Sequence, residues 1–334
     1  MTIEVFPGIF KITETGALGL LKPPINIYVV AGSNGIVFDG GYGNRGAVRR
    51  FVTDFGAIQE QYRREGRDFS VSRVLLSHAH PDHFAGLRGL RDTLGFRVMM
   101  TQRSAEMIAT KERYRDSYHT EDEWWEMAYP SAVTRNIMNF LRQPINRYYE
   151  HLYGTSFLDN PDIVIEENGS IPVNGESWNV LHVPGHAEDH IALYDPLRGI
   201  LFAGDNIMRS MTTWLGPPKS DLDSYMKSLV RMRDLPGLKL VLSAHGSPVA
   251  NPVERIQELL DIRSARTGQV RDIVADSGHK GIVFRDILEK LYPGAGLIKR
   301  MAAEGWVQTT LQYLIKHKKI ELLRHGGTIS FRLQ

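Results

Sequence analysis

The stretch VLLSHAHPDH, residues 74–83, narrows the folds open to this chain more than any other. An apolar, β-branched run from Val71 to Leu76 ends directly in three histidines and an aspartate. A run of that kind suits a buried strand. Polar side chains delivered from the carboxyl end of such a strand are held in place by the sheet behind them. The chain has 12 histidines, so a quarter of them fall within six positions. Imidazole and carboxylate together are metal-ligand chemistry. Taken one at a time, the same residues could equally be hydrogen-bonded loop histidines.

Three later stretches repeat the arrangement: PGHAEDH at 184–190, FAGDN at 202–206 and SAHGSP at 243–248. Each follows or precedes an apolar β run: Trp178–Val183, Ile191–Tyr194, Gly199–Ala203 and Leu238–Ser243. Earlier, Asn26–Val30 and Gly35–Asp39 read as a hairpin around Gly32, Ser33 and Asn34, with DGGYG (Asp39–Gly43) as a tight loop beyond it. Five histidines and two aspartates then suffice for two metals that share one carboxylate. Zn²⁺ is the default for such ligands, and Fe or Mn would use the same residues. The absence of cysteine excludes disulfides, thiolate metal sites and cysteine nucleophiles.

The order HxHxDH, then H, D and H, resembles the metallo-β-lactamase superfamily. Here HxHxDH is His78-Ala79-His80-Pro81-Asp82-His83. The resemblance implies an α+β protein, an αββα sandwich with the metals at one edge between the sheets. It implies His78, His80 and His186 as ligands of the first metal, Asp82, His83 and His245 as ligands of the second, and Asp205 as the bridge. A bridging hydroxide would be the nucleophile, with Asp82 helping to orient it. His190 is a further candidate, as a donor that orients a ligand or the substrate, or as a structural histidine. Asp39 is expected to orient the HxHxDH loop by hydrogen bonds, and His182 to be packed rather than ligating. The run of motifs through a long terminal helical segment resembles the lactamase-like, glyoxalase-II-like subfamily with a carboxyl-terminal winged helix.

That resemblance divides the chain into a body, 1–262, and a winged-helix module, 263–334. Phe84–Leu94 reads as a helix. Ser220–Asp223 reads as a capping box ahead of a helix over Tyr225–Leu235, and Asn251-Pro252 opens a helix to about Ile273. In the module, Val283–Tyr292, Leu297–Glu304 and Trp306–His317 read as three helices, followed by a hairpin turning at Gly326-Gly327. The module is basic, with 12 Lys+Arg against 6 Asp+Glu from Ser264 onward, in a chain of net charge +2. Exposed Gln308, Thr309 and Gln312 on its third helix could touch bases, or the module could pack near the cleft or mediate a homodimer.

A helical insertion at about 102–165 is rich in aromatics, and from Gln102 to Asn160 it carries 7 basic and 9 acidic residues. An acidic, aromatic insertion suits an apolar acyl substrate better than a phosphodiester backbone, although its rings could equally pack a subdomain. Without an apolar run near ~20 residues or a leader-like amino terminus, a cytoplasmic protein with no membrane contact is expected. These features lead to a dinuclear metallohydrolase of esters or thioesters with a small-molecule acyl substrate. An endoribonuclease on single-stranded RNA, and a non-catalytic binding or regulatory protein that keeps its metal site, use the same ligands.

Overall fold

The computed structural model describes residues 2–16, 22–117, 135–136, 150–325 and 328–334, with backbone only for 297–302. Two sheets face each other. The first runs β1 (Thr2–Phe6), β2 (Ile9–Glu14), β3 (Ile25–Val30), β4 (Gly35–Phe38), β5 (Val71–Leu75), β6 (Arg97–Thr101), β7 (Ile163–Ile165), in that order across the sheet. Its first four strands are an antiparallel meander and its last four are parallel. The second sheet contains β8 (Ser170–Val173), β9 (Glu176–His182), β10 (Ile191–Asp195), β11 (Ile200–Gly204) and β12 (Leu240–Ser243), with β11 and β12 parallel.

The alternation of side chains explains the layering. Tyr28, Val30, Phe38 and Leu75 from the first sheet meet Trp178, Val180, Leu193 and Phe202 from the second. On the outer face of the first sheet, Phe51, Phe55 and Ile58 of α1 (Arg45–Arg64) and Leu87 and Leu90 of α3 (Leu87–Leu94) close a second core. On the outer face of the second sheet, α6 (Leu222–Arg233) and α7 (Pro252–Ala275) close a third. Helices outside and two apolar sheets inside give the expected αββα layering.

Several local expectations are corrected. The Phe84–Leu94 helix is two pieces, α2 (Pro81–Phe84) and α3, because the Gly86 N–H turns aside to the Gly41 carbonyl at 2.9 Å. Within the insertion range, Gln102–Ile108 (α4) and Lys111–Ser117 (α5) are helical, and Ile163–Ile165 is the edge strand β7. Tyr114 and Phe157 pack on Phe84, with ring centroids 5.4 and 6.0 Å away, and so belong to the outer core of the first sheet. The other expected aromatics between 118 and 149 lie outside the described residues. The α6 cap is Asp221, whose Oδ1 accepts the Ser224 N–H at 2.7 Å, so the helix starts before Tyr225.

In the terminal module, α7 runs unbroken across residues 262–263. Beyond it come β13 (Ile282–Val283), α8 (Phe284–Leu291), α9 (Leu297–Lys316), β14 (Ile320–His325) and β15 (Thr328–Leu333), the strands forming a third sheet in the order β13-β15-β14. The two expected helices Leu297–Glu304 and Trp306–His317 are therefore one, continuous through Gly305. A helical glycine costs about 1 kcal/mol against alanine. Here a Cβ would stand 2.8 Å from the Leu215 carbonyl oxygen, so contact with the body requires the glycine. The expected exposure of Gln308 and Thr309 is also wrong: they are 8% and 1% exposed, because this face of α9 is packed inward. The strands on either side of the expected turn pair from His325 to Thr328, and Gly326-Gly327 itself lies outside the described residues. No described helix is long and apolar enough to cross a membrane.

Phe202 is fully buried between the sheets, with its ring centroid 5.6 Å from Tyr28, 5.5 Å from Phe38 and 5.7 Å from Trp178. Phe202→Ala is expected to cost roughly 3–5 kcal/mol in urea unfolding. A cost below about 1 kcal/mol would mean that the two sheets do not depend on this contact.

Candidate metal centre

The carboxyl ends of β4, β5, β11 and β12 open at the same edge of the sandwich, together with the β9–β10 loop. Asp39 follows β4, Ser77–His83 follow β5, His186 and His190 lie between β9 and β10, Asp205 follows β11, and His245 follows β12. Hydrogen bonds within and between the sheets hold these ends together. The Ile191 N–H donates to the Ser77 carbonyl at 2.8 Å, and the Ala244 N–H to the Gly204 carbonyl at 2.9 Å. Asn26 Nδ2 donates to the carbonyls of Ser243 and Gly246 at 3.0 and 2.8 Å, and the Tyr28 hydroxyl to that of Ser243 at 2.8 Å.

The seven expected ligands converge as two groups. His78, His80, His186 and Asp205 form one, and Asp82, His83 and His245 the other, with one candidate ligand atom per residue lying within 4.8 Å of the others in its group. His80 Nδ1 is 2.9 Å from both His78 Nε2 and His186 Nε2. Asp205 reaches both groups. Its Oδ2 is 3.4 Å from His186 Nε2, and its Oδ1 is 3.3 Å from His83 Nε2 and 3.4 Å from His245 Nε2. Asp82 Oδ2 is 3.4 Å from His245 Nε2.

Outer partners decide which ring nitrogens face inward. The Nδ1–H of His186 donates to the Trp214 carbonyl at 2.8 Å, that of His245 to the Pro24 carbonyl at 2.7 Å, and that of His83 to Asp39 Oδ2 at 2.8 Å. His78 Nδ1 lies 2.9 Å from Ser77 Oγ, which itself donates to Asp39 Oδ2 at 3.0 Å. Each of these contacts fixes a tautomer and turns an Nε2 lone pair toward the centre, as metal-ligating histidines require. His83 Nε2 and Asp205 Oδ1 are buried and make no hydrogen bond among the described residues. Buried acceptors of this kind are costly unless a cation satisfies them. The donor set therefore fits divalent metal.

The electrostatics agree. Burial pushes His78 and His190 well down and His80 to about 3, so these imidazoles stay neutral. Burial opposes the charged forms of His83 and His245 too, yet the surrounding carboxylates outweigh it and hold both well above the ordinary histidine value. His83 and His245 in turn keep Asp205 well below the usual carboxylate range, despite its burial. The carboxylates draw positive charge into the centre, a demand that protons or divalent cations can meet.

His190 is fully buried, with its ring stacked on His78 at 4.7 Å, and its Nε2 accepts the Asp205 N–H at 3.1 Å. The fit needs Gly204, where a Cβ would stand 2.6 Å from His190 Nε2. Asp39 accepts from the Ser77 N–H at 2.8 Å, and from Ser77 Oγ and His83 as above; its backbone sits at φ 69°, a strained conformation for a residue with a side chain. His182 bonds the Glu188 carbonyl at 2.8 Å, away from the ligand groups.

Sequence reasoning missed two supports. Asp189 is fully buried, and its Oδ2 accepts from the Ala79 N–H at 2.8 Å and from Ser104 Oγ at 2.7 Å, gripping the HxHxDH loop from the other sheet. An acid inside PGHAEDH, beside two histidines, was the available signal. Asn26, a polar residue within the otherwise apolar strand INIYVV, was the other.

An αββα sandwich with this ligand cluster at the strand ends defines a metal-binding hydrolase fold. Residues 22–245 match the Metallo-beta-lactamase superfamily, and the chain belongs to that family. It is similar to the Probable metallo-hydrolase YqjP of Bacillus subtilis (strain 168), 24% identical over 320 residues that cover 92% of each chain. It is also similar to Acyl-coenzyme A thioesterase MBLAC2 of Homo sapiens, 26% identical over 215 residues, 63% of this chain and 67% of that one. The similarity to the Beta-lactamase-like protein 2 homolog of Caenorhabditis elegans, at 27% identity, spans 47% of this chain and about half of that protein, 51%. Among solved structures, a Beta-lactamase domain protein from Burkholderia ambifaria shares the fold with a TM-score of 0.74 at 21% identity, covering 100% of this chain and 93% of that one.

The supports around the centre can be tested separately from its chemistry. Asp39→Ala should weaken Zn²⁺ binding by about 10–100-fold in competition with a chromophoric chelator, and unchanged affinity would show that Asp39 does not orient the ligands. Glu14, 3% exposed, accepts the Tyr42 N–H at 3.1 Å with one oxygen, while the other has no partner among the described residues. Burial pushes its carboxyl from 4.5 up to about 7, against the Tyr42 N–H and the charges of Arg50 and Lys22. The native state thus holds this proton more tightly than the unfolded chain. The resulting stabilisation is complete below about pH 4.5 and is lost as pH rises through about 7. Urea midpoints measured from pH 5 to 8 should accordingly fall for the wild type relative to Glu14→Gln, and parallel curves would refute the assignment.

Proposed function

We propose that this protein is a dinuclear metallohydrolase of acyl-thioesters. The carrying observation is Asp205, one oxygen turned to each ligand group, the placement expected of a shared carboxylate. Two divalent cations, Zn²⁺ by the donor types, would lower the pKa of a water and polarise the scissile carbonyl when bound. His78, His80, His186 and Asp205 would hold one, and Asp82, His83, His245 and Asp205 the other. Asp82, beside His245, would orient the attacking water. His190, engaged with the Asp205 N–H, acts as a positioning residue for that carboxylate.

Hydrolysis forms a C–O bond, breaks the C–S bond and releases a thiol and a carboxylic acid. Two things support the acyl-thioester reading. MBLAC2 is named an acyl-coenzyme A thioesterase, and an Atrochrysone carboxyl ACP thioesterase of Pseudocercospora fijiensis is 27% identical over 64% of this chain and 68% of its own. The loop that carries the His186 partner also bears two exposed apolar side chains, Met211 and Trp214, 56% and 54% exposed, suited to an acyl chain. The terminal module, with helices on a small antiparallel sheet, fits a winged helix in outline.

The metal-loaded protein should hydrolyse members of an acyl-CoA panel of increasing chain length, with thiol release followed by a colorimetric reagent. Asp205→Ala should lower kcat/KM by at least about 1000-fold. Activity on labelled single-stranded RNA that is lost in Asp205→Ala, together with no thiol release, would replace this reading with the nuclease one.

A further inference from the structure

Between Asp205 and the Asp221 cap lies a segment, residues 206–220, outside any helix or strand. It nevertheless carries two contacts the metal centre needs. The Trp214 carbonyl takes the His186 Nδ1–H, and Thr213 Oγ1 donates to the Asp205 and Asn206 carbonyls at 2.6 and 3.0 Å. A segment without ladder hydrogen bonds of its own must be held from outside.

The holders are α7 and α9. From α7, Arg255 donates through Nε to the Met208 carbonyl and through Nη2 to the Met211 carbonyl, both at 2.8 Å. Further along the same helix, Arg263, 4% exposed, donates to the Thr213 carbonyl and lies over the Tyr225 ring at 5.5 Å. The Tyr225 hydroxyl donates in turn to the Asn206 carbonyl at 2.8 Å. From α9, Gly305 lies flat against Leu215–Gly216, where a Cβ would stand 2.8 Å from the Leu215 oxygen and 3.1 Å from the Gly216 Cα. Trp306, Val307, Gln308, Thr309, Thr310 and Leu311 are all buried, so this stretch of α9 is enclosed between the core of its own module and the body. Lys316 and His317, at the end of α9, reach Asp223 of α6 at 2.9 and 3.3 Å and fix the rotation of the helix.

We propose that the carboxyl-terminal module is a clamp on the metal centre, with Gly305 and Arg263 as positioning residues that set His186 and Asp205 through the 206–216 segment. The inference rests on the metal-site reading above. Any side chain at Gly305 must push back the backbone of Leu215–Gly216, and with it the carbonyl of the adjoining Trp214. His186 then loses its orienting partner, while His83 and His245, held by Asp39 and Pro24, keep theirs.

The test is stepwise Zn²⁺ binding to the full-length apoprotein by chelator competition, together with the visible spectrum of the Co²⁺-loaded form. Gly305→Val and Arg263→Leu should each weaken one of two binding steps, that of the His186 group, by about 10–100-fold, with a smaller loss at the other through the shared Asp205 and an altered Co²⁺ spectrum. Arg263→Lys should recover part of the loss. Leu288→Ala, which thins the core of the module away from the segment, should lower thermal stability with both binding steps intact. Should Gly305→Val fail to fold, Gly305→Ala and the Arg263 pair carry the same readout. Folded variants with both steps and the spectrum unchanged would overturn the clamp. A wild type that binds fewer than two Zn²⁺ would instead overturn the dinuclear reading, independently of the variants.

Discussion

The structure is organised around imidazole nitrogens and carboxylate oxygens buried within about a hydrogen-bond length of one another, too many acceptors for the protons available to them. His78, His80, His83, His186, His245, Asp82 and Asp205 meet at one edge of the sandwich, and Asp205 stands between the two groups. Such a cluster is tenable only if each ring is held in one tautomer and one orientation. Both sheets and the surrounding loops supply that restraint. Asp39 and Ser77 steady the HxHxDH loop from the first sheet, Asp189 grips it from the second, and Pro24 and Trp214 take the outer nitrogens of His245 and His186.

Backbone geometry is used sparingly and at telling places. Asp39 adopts a left-handed conformation that most side chains avoid, and in return its carboxylate serves Ser77 and His83 together. Gly204 gives His190 room to take the N–H of the very next residue, Asp205. The terminal module adds a third layer of support. Its helix α9 is enclosed around Gln308 and Thr309, which are buried where exposed side chains were expected.

Much of the centre is legible in the residues alone. Each ligand sits within a few residues of a strand end, and the motifs PGH, GDN and SAHG carry their own turns, so local pattern and global position coincide. The Asp39 hydrogen bonds are legible for the same reason. Less legible are Asp189 and Asn26, which reach Ala79 and Ser243 across 110 and 217 residues of sequence. The helix α9 reads as two in sequence because a glycine within a helix ordinarily signals a break, whereas this one marks a contact with Leu215 that no local pattern encodes.

By itself the sequence determined the ligand types, their order and the strands that present them, because apolar periodicity and metal-ligand chemistry are local properties of the chain. Only the tertiary structure decided which nitrogen of each histidine faces the centre, that Asp205 reaches both groups, that His190 takes the Asp205 N–H, and that the terminal module leans on the loop behind His186. Those outcomes depend on hydrogen bonds and close packing between segments far apart in sequence, where the partner is chosen by the folded arrangement of both sheets.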